Sequence, residues 1–212
     1  MHIPPAFSET RGDRVAGLLA DYPLGMVSWI DGGHIEATPL PLLVESAQGE
    51  PLRLTAHLPR ANPLATAAVG GAELLITFSG PRAYVSPSWY PTKREHGRAV
   101  PTWNYAIVTV RGVGRIIDDA GWVKAQIRAF TSRHETGREE PWSVDDAPSD
   151  YIDGLVRTLV GLEVTATEVQ GKWKVSQNQP DANRIGVAAG LRAAARPDWE
   201  TMARLVEQTG RD

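Results

Sequence analysis

Between Leu24 and Ile117 the apolar residues come in short runs, each bounded by glycine, proline or a polar turn. LGMVSWID, from Leu24, is followed by Gly32-Gly33 and then by HIEATPLPLLV. Two apolar runs around a Gly-Gly step predict a β-hairpin. Pro39 and Pro41 make its second arm an edge, bulged or irregular strand, because proline cannot donate to a ladder. After the polar loop ESAQGE, PLRLTAHL predicts a third strand. AELLITFSG and RAYVSP predict two more around Gly80-Pro81, and WNYAIVTVRGVGRII another, bent or bulged at Gly112 and Gly114. LVGLEVTATEVQ and GKWKVSQ predict late strands.

Helices are expected only at the ends and in crossings. One begins behind Ser8 or Thr10 as cap, places Val15, Leu18, Leu19 and Tyr22 on one face, and stops at Pro23. NPLATAAVGG predicts a short connector with Asn62 as N-cap and Pro63 at the first helical position. A further helix runs from about Ala120 to Phe130, with Val123, Ile127 and Phe130 inward, and two close the chain, around Asp181 to Ala195 and Pro197 to Gln208. SRHETGREEPWSVDDAPSD is expected to be a polar loop. Strands in series, rather than alternating with long helices, predict an α+β, mainly β class. The architecture is an antiparallel β-barrel with peripheral helices, not a doubly wound sheet.

The 212 residues suit one large domain, or a domain with a small appendage, and can bury a core without staples. Cysteine is absent, which removes disulfides and thiol chemistry. The net charge of −3, spread over both halves, lacks the global footprint of a nucleic-acid binder. No run reaches the length needed to span a bilayer, and the start lacks the pattern of a signal peptide, so a soluble, cytoplasmic protein is the expectation. The five histidines show no metal-ligand spacing, and no metal site is expected.

Three segments carry candidate chemistry. In AHLPRANP a strand ends, Arg60 follows, and a helix starts at Asn62-Pro63; with His57 this can hold a phosphate, or it can be a capped turn with a solvated arginine. SWYPTKREHGRAVPTWNY sets Trp89, Tyr90, Trp103 and Tyr105 around Lys93, Arg94, His96 and Arg98. Such aromatics can stack on a planar ring beside cations, or pack strand ends or a dimer contact. KWKVSQN delivers Lys174, Ser176 and Asn178 to one face of a strand, with Val175 and Gln177 on the other. Its donors suit the carbonyls and nitrogens of a heterocycle, or merely end the strand.

Taken in order, IPPAF, HLPRANP, FSGPRAYVSPSWY, VPTWNY and KVSQN resemble the PaiB family of FMN-binding transcriptional regulators, from Ile3 to about Asn178. The basic insert PTKREHGRA is longer than the family pattern. The resemblance implies a flavin-reductase-like split β-barrel over residues 1–178, with 179–212 a helical extension packed on it. It implies a homodimer with FMN at the subunit interface. His57, Arg60 and Asn62 would then lie by the phosphate. Trp89, Tyr90 and Trp103 would wall the cleft, Lys174, Ser176, Gln177 and Asn178 would approach the flavin edge, and Thr38 would stand on a strand lining the same cleft. The function so implied is negative transcriptional regulation. The alternatives are a flavin-dependent oxidoreductase using NAD(P)H on a small molecule, and a dimeric scaffold without cofactor. Direct DNA contact through Arg184, Arg192 and Arg196 of the last helices is weakly supported, because Asp198, Glu200 and Glu207 would repel phosphates.

Overall fold

The computed structural model describes residues 1–45 and 51–209; beyond Glu45, the polar loop expected at ESAQGE lies outside the described residues. Eight strands follow one another: β1 (Ser8–Glu9), β2 (Leu24–Asp31), β3 (His34–Pro41), β4 (Leu43–Glu45), β5 (Arg53–Pro59), β6 (Ala72–Val85), β7 (Thr102–Ile117) and β8 (Leu159–Lys174). The helices are α1 (Gly12–Asp21), α2 (Pro63–Ala67), α3 (Lys93–His96), α4 (Ala120–Glu135), α5 (Ser149–Val156), α6 (Asp181–Ala193) and α7 (Trp199–Gln208). The strands form one antiparallel sheet in the order β3-β2-β6-β7-β8-β5-β4, with β1 paired to β8. The path does not close on itself. The expected class, α+β and mainly β with an antiparallel sheet and peripheral helices, is the observed one; the expected barrel is an open sheet.

Local expectations are corrected in several places. AELLITFSG and RAYVSP are not two strands but the single 14-residue β6. A Cβ on Gly80 would stand 2.8 Å from Leu18 Cδ1 and 3.1 Å from the Ala106 carbonyl, so this glycine permits close packing rather than a turn. The two late strands are likewise one, the 16-residue β8. Ser8 belongs to β1 and does not cap α1; Arg11 precedes that helix, with its backbone N–H donated to Glu9 Oε1 at 2.9 Å. The stretch expected to be a polar loop contains the end of α4, a short 3-10 turn at Val144–Asp146 and the start of α5.

The chain divides into two compact units, each drawn from several stretches of sequence. One contains Pro23–Thr77 and Val110–Val169. Its core alternates along the strands: Val27 and Trp29 in β2, Leu54, Ala56 and Leu58 in β5, Leu74 and Ile76 in β6, Val160, Leu162 and Val164 in β8. Its β2–β3 hairpin turns at Gly32-Gly33 as expected, with Leu24 opposite Pro41, Met26 opposite Pro39, Ser28 opposite Ala37 and Ile30 opposite Ile35. Residues directly opposite share a face, so this ladder is apolar but for Ser28. It is uncovered in the single chain, with Ile30 74% and Ile35 82% exposed.

The other unit contains Met1–Tyr22, Phe78–Thr109 and the chain from Gln170 onward. Leu18 and Leu19 of α1, Phe78 and Val85 of β6, Val108 of β7, Val187 and Leu191 of α6 and Met202 and Val206 of α7 are buried here. Trp89, in a 3-10 turn after β6, lies against α6 where Gly186 and Gly190 leave room; a Cβ at either would collide with it. Trp199 of α7 meets the Trp89 ring edge-on, with centroids 6.2 Å apart. Arg192 of α6 ties the two terminal helices together through Glu200 at 3.0 Å and Glu207 at 2.5 Å.

Candidate functional site

Within this second unit, the segment after β6, the first residues of β7 and the end of β8 surround a cleft of about 430 Å³. Inward alternation along β7 puts Asn104 in line with Ala106 and Val108, all buried. Asn104 donates from Nδ2 to Ser176 Oγ at 2.9 Å, and no protein group bonds its carbonyl oxygen among the described residues. Ser176 itself has φ of 66°, the left-handed region that side chains other than glycine occupy at a cost. A strained, buried hydroxyl beside an amide with one open end is the kind of feature that binding sites retain.

Lys174 lines the same cleft, with Nζ donating to Thr102 Oγ1 and, at 2.8 Å, to the Trp103 carbonyl. Burial, assisted by the nearby Lys172 charge and opposed by Tyr105, holds its ammonium below the usual 10.5. Tyr90 is buried in the wall, and burial raises its phenol above 10.0, so it stands as a neutral hydroxyl. Thr92 is fixed by buried Asn183 of α6, whose Nδ2 donates to Thr92 Oγ1 and to Gln179 Oε1, both at 3.0 Å. The basic insert forms α3, ends at Gly97, and sets His96 and Arg98 exposed at the mouth. His96 Nδ1 accepts the Arg98 backbone N–H at 3.0 Å, which leaves Nε2 as the ring donor. Lysine, arginine, histidine, amide and hydroxyl groups line the cleft, and no carboxylate does among the described residues.

Of the residues singled out from the sequence, Tyr90, Lys174, Ser176 and Asn178 are brought together here. Gln177 folds back on the strand end, Nε2 donating to the Trp173 carbonyl at 2.5 Å and Oε1 accepting the Val175 N–H at 2.8 Å. Trp89 packs on α6, and Trp103, 54% exposed, meets Tyr84 edge-on at 6.2 Å. The remaining four lie in the first unit. Asn62 caps α2 through Leu64 N–H at 3.0 Å and donates to Thr38 Oγ1 at 3.3 Å, which joins two of them. His57 Nδ1 lies 2.7 Å from Oε1 of the buried Gln126. Arg60 is held by the Asp118 carboxylate through both terminal nitrogens, one at 2.7 Å, and donates from Nε to the Arg157 carbonyl at 3.0 Å. The donors expected to meet a phosphate at HLPRANP therefore already have protein partners.

Thr92, Asn104, Gln179 and Asn183 were not singled out from the sequence, yet they build the cleft. Asn104 had a readable signal: a polar side chain at an inward position of a strand whose neighbours in register are Ala106 and Val108.

The sequence model of the family described as "Putative FMN-binding domain" matches residues 1–168. The chain is 27% identical to "Protease synthase and sporulation protein PAI 2" of Bacillus subtilis (strain 168), over 98% of its own length and 97% of that protein's. Among solved structures it resembles the FAD and heme binding protein from Mycobacterium smegmatis, with a TM-score of 0.56 and 19% identity over 86% of this chain and 80% of that one. It also resembles the flavocytochrome Anf3 from Azotobacter vinelandii, with a TM-score of 0.57 and 17% identity over 82% of this chain and 72% of the other. At these identities the two structures establish a shared fold.

Proposed function

The chain belongs to this FMN-binding domain family, and on that premise we propose that it is a regulatory flavoprotein whose isoalloxazine edge is met by Tyr90, Lys174, Ser176 and Asn178. A flavin is the cofactor that the family supports. The observation that carries the reading is the composition of the cleft: hydroxyl, amide and cationic donors with no carboxylate among them. The residues fit the group. Asn104 keeps an unbonded carbonyl oxygen beside the strained Ser176, an acceptor and a hydroxyl of the sort a ring N–H and ring carbonyl require.

Bound flavin supplies one- and two-electron transfer. The chain's part is to hold and orient it. Lys174 offers positive charge to an electron-rich ring edge, Tyr90 presents a neutral hydroxyl, and the Thr92–Asn183 bond fixes the wall against α6.

The regulatory role follows the Bacillus subtilis relative, whose name couples it to protease synthesis and sporulation. Reading of DNA by α6 and α7 is not part of the proposal. Arg184 pairs with Asp181 at 2.9 Å, Arg204 with Glu200 at 3.2 Å, and Arg192 with Glu200 and Glu207, while Arg196 stacks over the Trp199 ring 5.0 Å from its centroid, so most of the cations a phosphate backbone needs are already engaged by carboxylates. Homodimerisation is supported by the uncovered ladder of Leu24, Met26, Ile30 and Ile35 on the β2–β3 hairpin. No helix among the described residues is long and apolar enough to cross a membrane, and we place the protein in the cytoplasm.

One observation favours the oxidoreductase reading as second choice. His96, Arg98 and Val100 at the mouth are exposed, so a ring held behind them is within reach of a reactant from solvent.

The test is to purify the protein without added cofactor, record its visible spectrum, and titrate the apoprotein with FMN. Co-purified flavin or saturable micromolar binding supports the proposal, and failure of both overturns it. Anaerobic bleaching by NADPH or NADH would move the function from regulation to catalysis.

A further inference from the structure

We propose that the unit containing Pro23–Thr77 and Val110–Val169 carries a second ligand site, one that takes a pyranose sugar. It lies between the second half of α4 and the loop that follows it, around a cavity of about 410 Å³. The inference is independent of the flavin reading, because the two sites share no residue.

One helix stripe and one returning loop build the cavity. Arg128, Thr131, Ser132 and Glu135 follow the spacing i, i+3, i+4, i+7, so they stand on one face of α4. Gly137, with φ of 87°, turns the chain off the end of the helix. The loop then comes back along that face. Its Trp142 N–H donates to Glu135 Oε2 at 3.1 Å, Asp145 pairs with Arg128 at 2.6 Å, and Ser143 with Asp146 forms a capping box around the buried Val144. These bonds hold the cavity in shape before any ligand arrives, which lowers the ordering cost of binding.

The groups left unused define the ligand. The Glu135 side chain is only 20% exposed, and its Oε1 accepts no hydrogen bond among the described residues, since Trp142 N–H goes to Oε2. Arg128 gives Asp145 only its Nη2, and the Thr131 and Ser132 hydroxyls make no hydrogen bond among the described residues. Trp142 is 47% exposed, and its ring meets no other ring or cation among them. A half-open indole beside a carboxylate, a guanidinium and hydroxyls matches the two-sided chemistry of a pyranose. One side of such a ring is a patch of C–H groups that lies on the electron-rich face of an indole. Its rim carries neighbouring hydroxyls that donate to a carboxylate and accept from a guanidinium, and hydrogen bonds to charged groups are the stronger kind. A cationic ligand fits less well, because Glu135 already pairs with Arg138 and Arg128 lines the same cavity; an anionic one would meet Glu135. The volume stands at the lower end of the range of about 300–1,000 Å³ for small-molecule sites, which suits a single sugar ring.

The test is calorimetric titration of the full chain with the methyl glycosides of glucose, galactose, mannose and N-acetylglucosamine, and with choline as a cationic probe. At least one glycoside is expected to bind the wild type saturably in the millimolar range, since one ring offers few contacts. Trp142→Ala and Glu135→Gln should each weaken its binding roughly tenfold, while FMN affinity stays at the wild-type value. Should either variant fail to fold, the wild type still decides. Its Trp142 indole N–H resonance, assigned by its loss in Trp142→Phe, should shift when the sugar is added. The proposal is overturned if no glycoside binds at millimolar concentrations, if either folded variant binds the sugar as the wild type does, or if the indole resonance stays in place. Binding of choline instead of a glycoside also overturns it, in favour of a cation site. Sugar binding by a protein that takes up no FMN would sustain this site and remove the flavin reading.

Discussion

Asn104 and Ser176, 72 residues apart in the chain, are joined by a 2.9 Å hydrogen bond between buried side chains, and Ser176 makes it from a left-handed backbone. The strain and the bond can be separated by substitution. Ser176→Ala loses the hydroxyl and keeps the strain, whereas Ser176→Gly loses the hydroxyl and relieves it. The glycine variant is expected to be more stable than the alanine variant by about 1 kcal/mol in urea unfolding. Equal stabilities would show that the conformation costs nothing here.

Arg60 and Asp118 form an exposed fork whose atoms are all engaged. If the Arg60 fork, already filled by the Asp118 carboxylate, takes no part in holding the phosphate, Asp118→Asn should leave the ratio of FMN to riboflavin affinity within about twofold of wild type. Tightening of FMN alone would return the phosphate to Arg60.

Trp89 occupies the space above Gly186 and Gly190. Gly190→Ala would push on the indole and is expected to cost about 1–3 kcal/mol, with a shift in tryptophan emission as the ring leaves α6. Gly186→Ala meets the Trp89 backbone carbonyl, which yields less easily than a side chain, and should cost more. Wild-type unfolding midpoints for both would contradict the packing.

Glu9 is buried, which on its own raises a carboxyl, but the Arg11 guanidinium and backbone N–H, with Arg14, bring it below its ordinary 4.5. A depressed acid stabilises the fold in full above 4.5, and that contribution is lost as pH falls through the folded-state value. Glu9→Gln should therefore lose less stability than wild type between about pH 6 and about pH 3. Parallel curves would remove Glu9 from the acid response.

Ile30 and Ile35 stand opposite each other on the uncovered hairpin face. If that face joins two copies, Ile30→Glu should convert a dimer to a folded monomer by sedimentation, with unchanged far-ultraviolet circular dichroism. A wild-type monomer removes the homodimer; a dimeric Ile30→Glu moves the interface elsewhere.

Much of the sheet was legible from local pattern. The hairpin at Gly32-Gly33, the alternation in β5 and β7 and the two terminal helices each express a periodicity that depends only on neighbouring residues. Punctuation was less dependable. Gly80-Pro81 looked like a break between strands, yet β6 passes through it, and the glycine there makes room for Leu18 and the Ala106 carbonyl. Local sequence does not distinguish a glycine needed for a turn from one needed for a neighbour.

The sequence by itself determined the class of fold, the strand and helix periods and, through its quoted motifs, the family and its cofactor. The resemblance pointed to Tyr90, Lys174, Ser176 and Asn178, but the single strand face expected for the last three is corrected: β8 ends at Lys174, and Ser176 and Asn178 reach the cleft from the turn beyond it, with Ser176 in the left-handed region. The tertiary structure decided which of the candidate residues meet. A side-chain hydrogen bond from β7 to the turn beyond β8 joined Asn104 to Ser176, and helix docking joined Thr92 to Asn183, 91 residues away. Long-range contact occupied Arg60 with Asp118, 58 residues on, and set Trp89 against α6. Whether a donor is free for a ligand depends on which distant group reaches it first, and that is a property of the folded packing rather than of spacing along the chain.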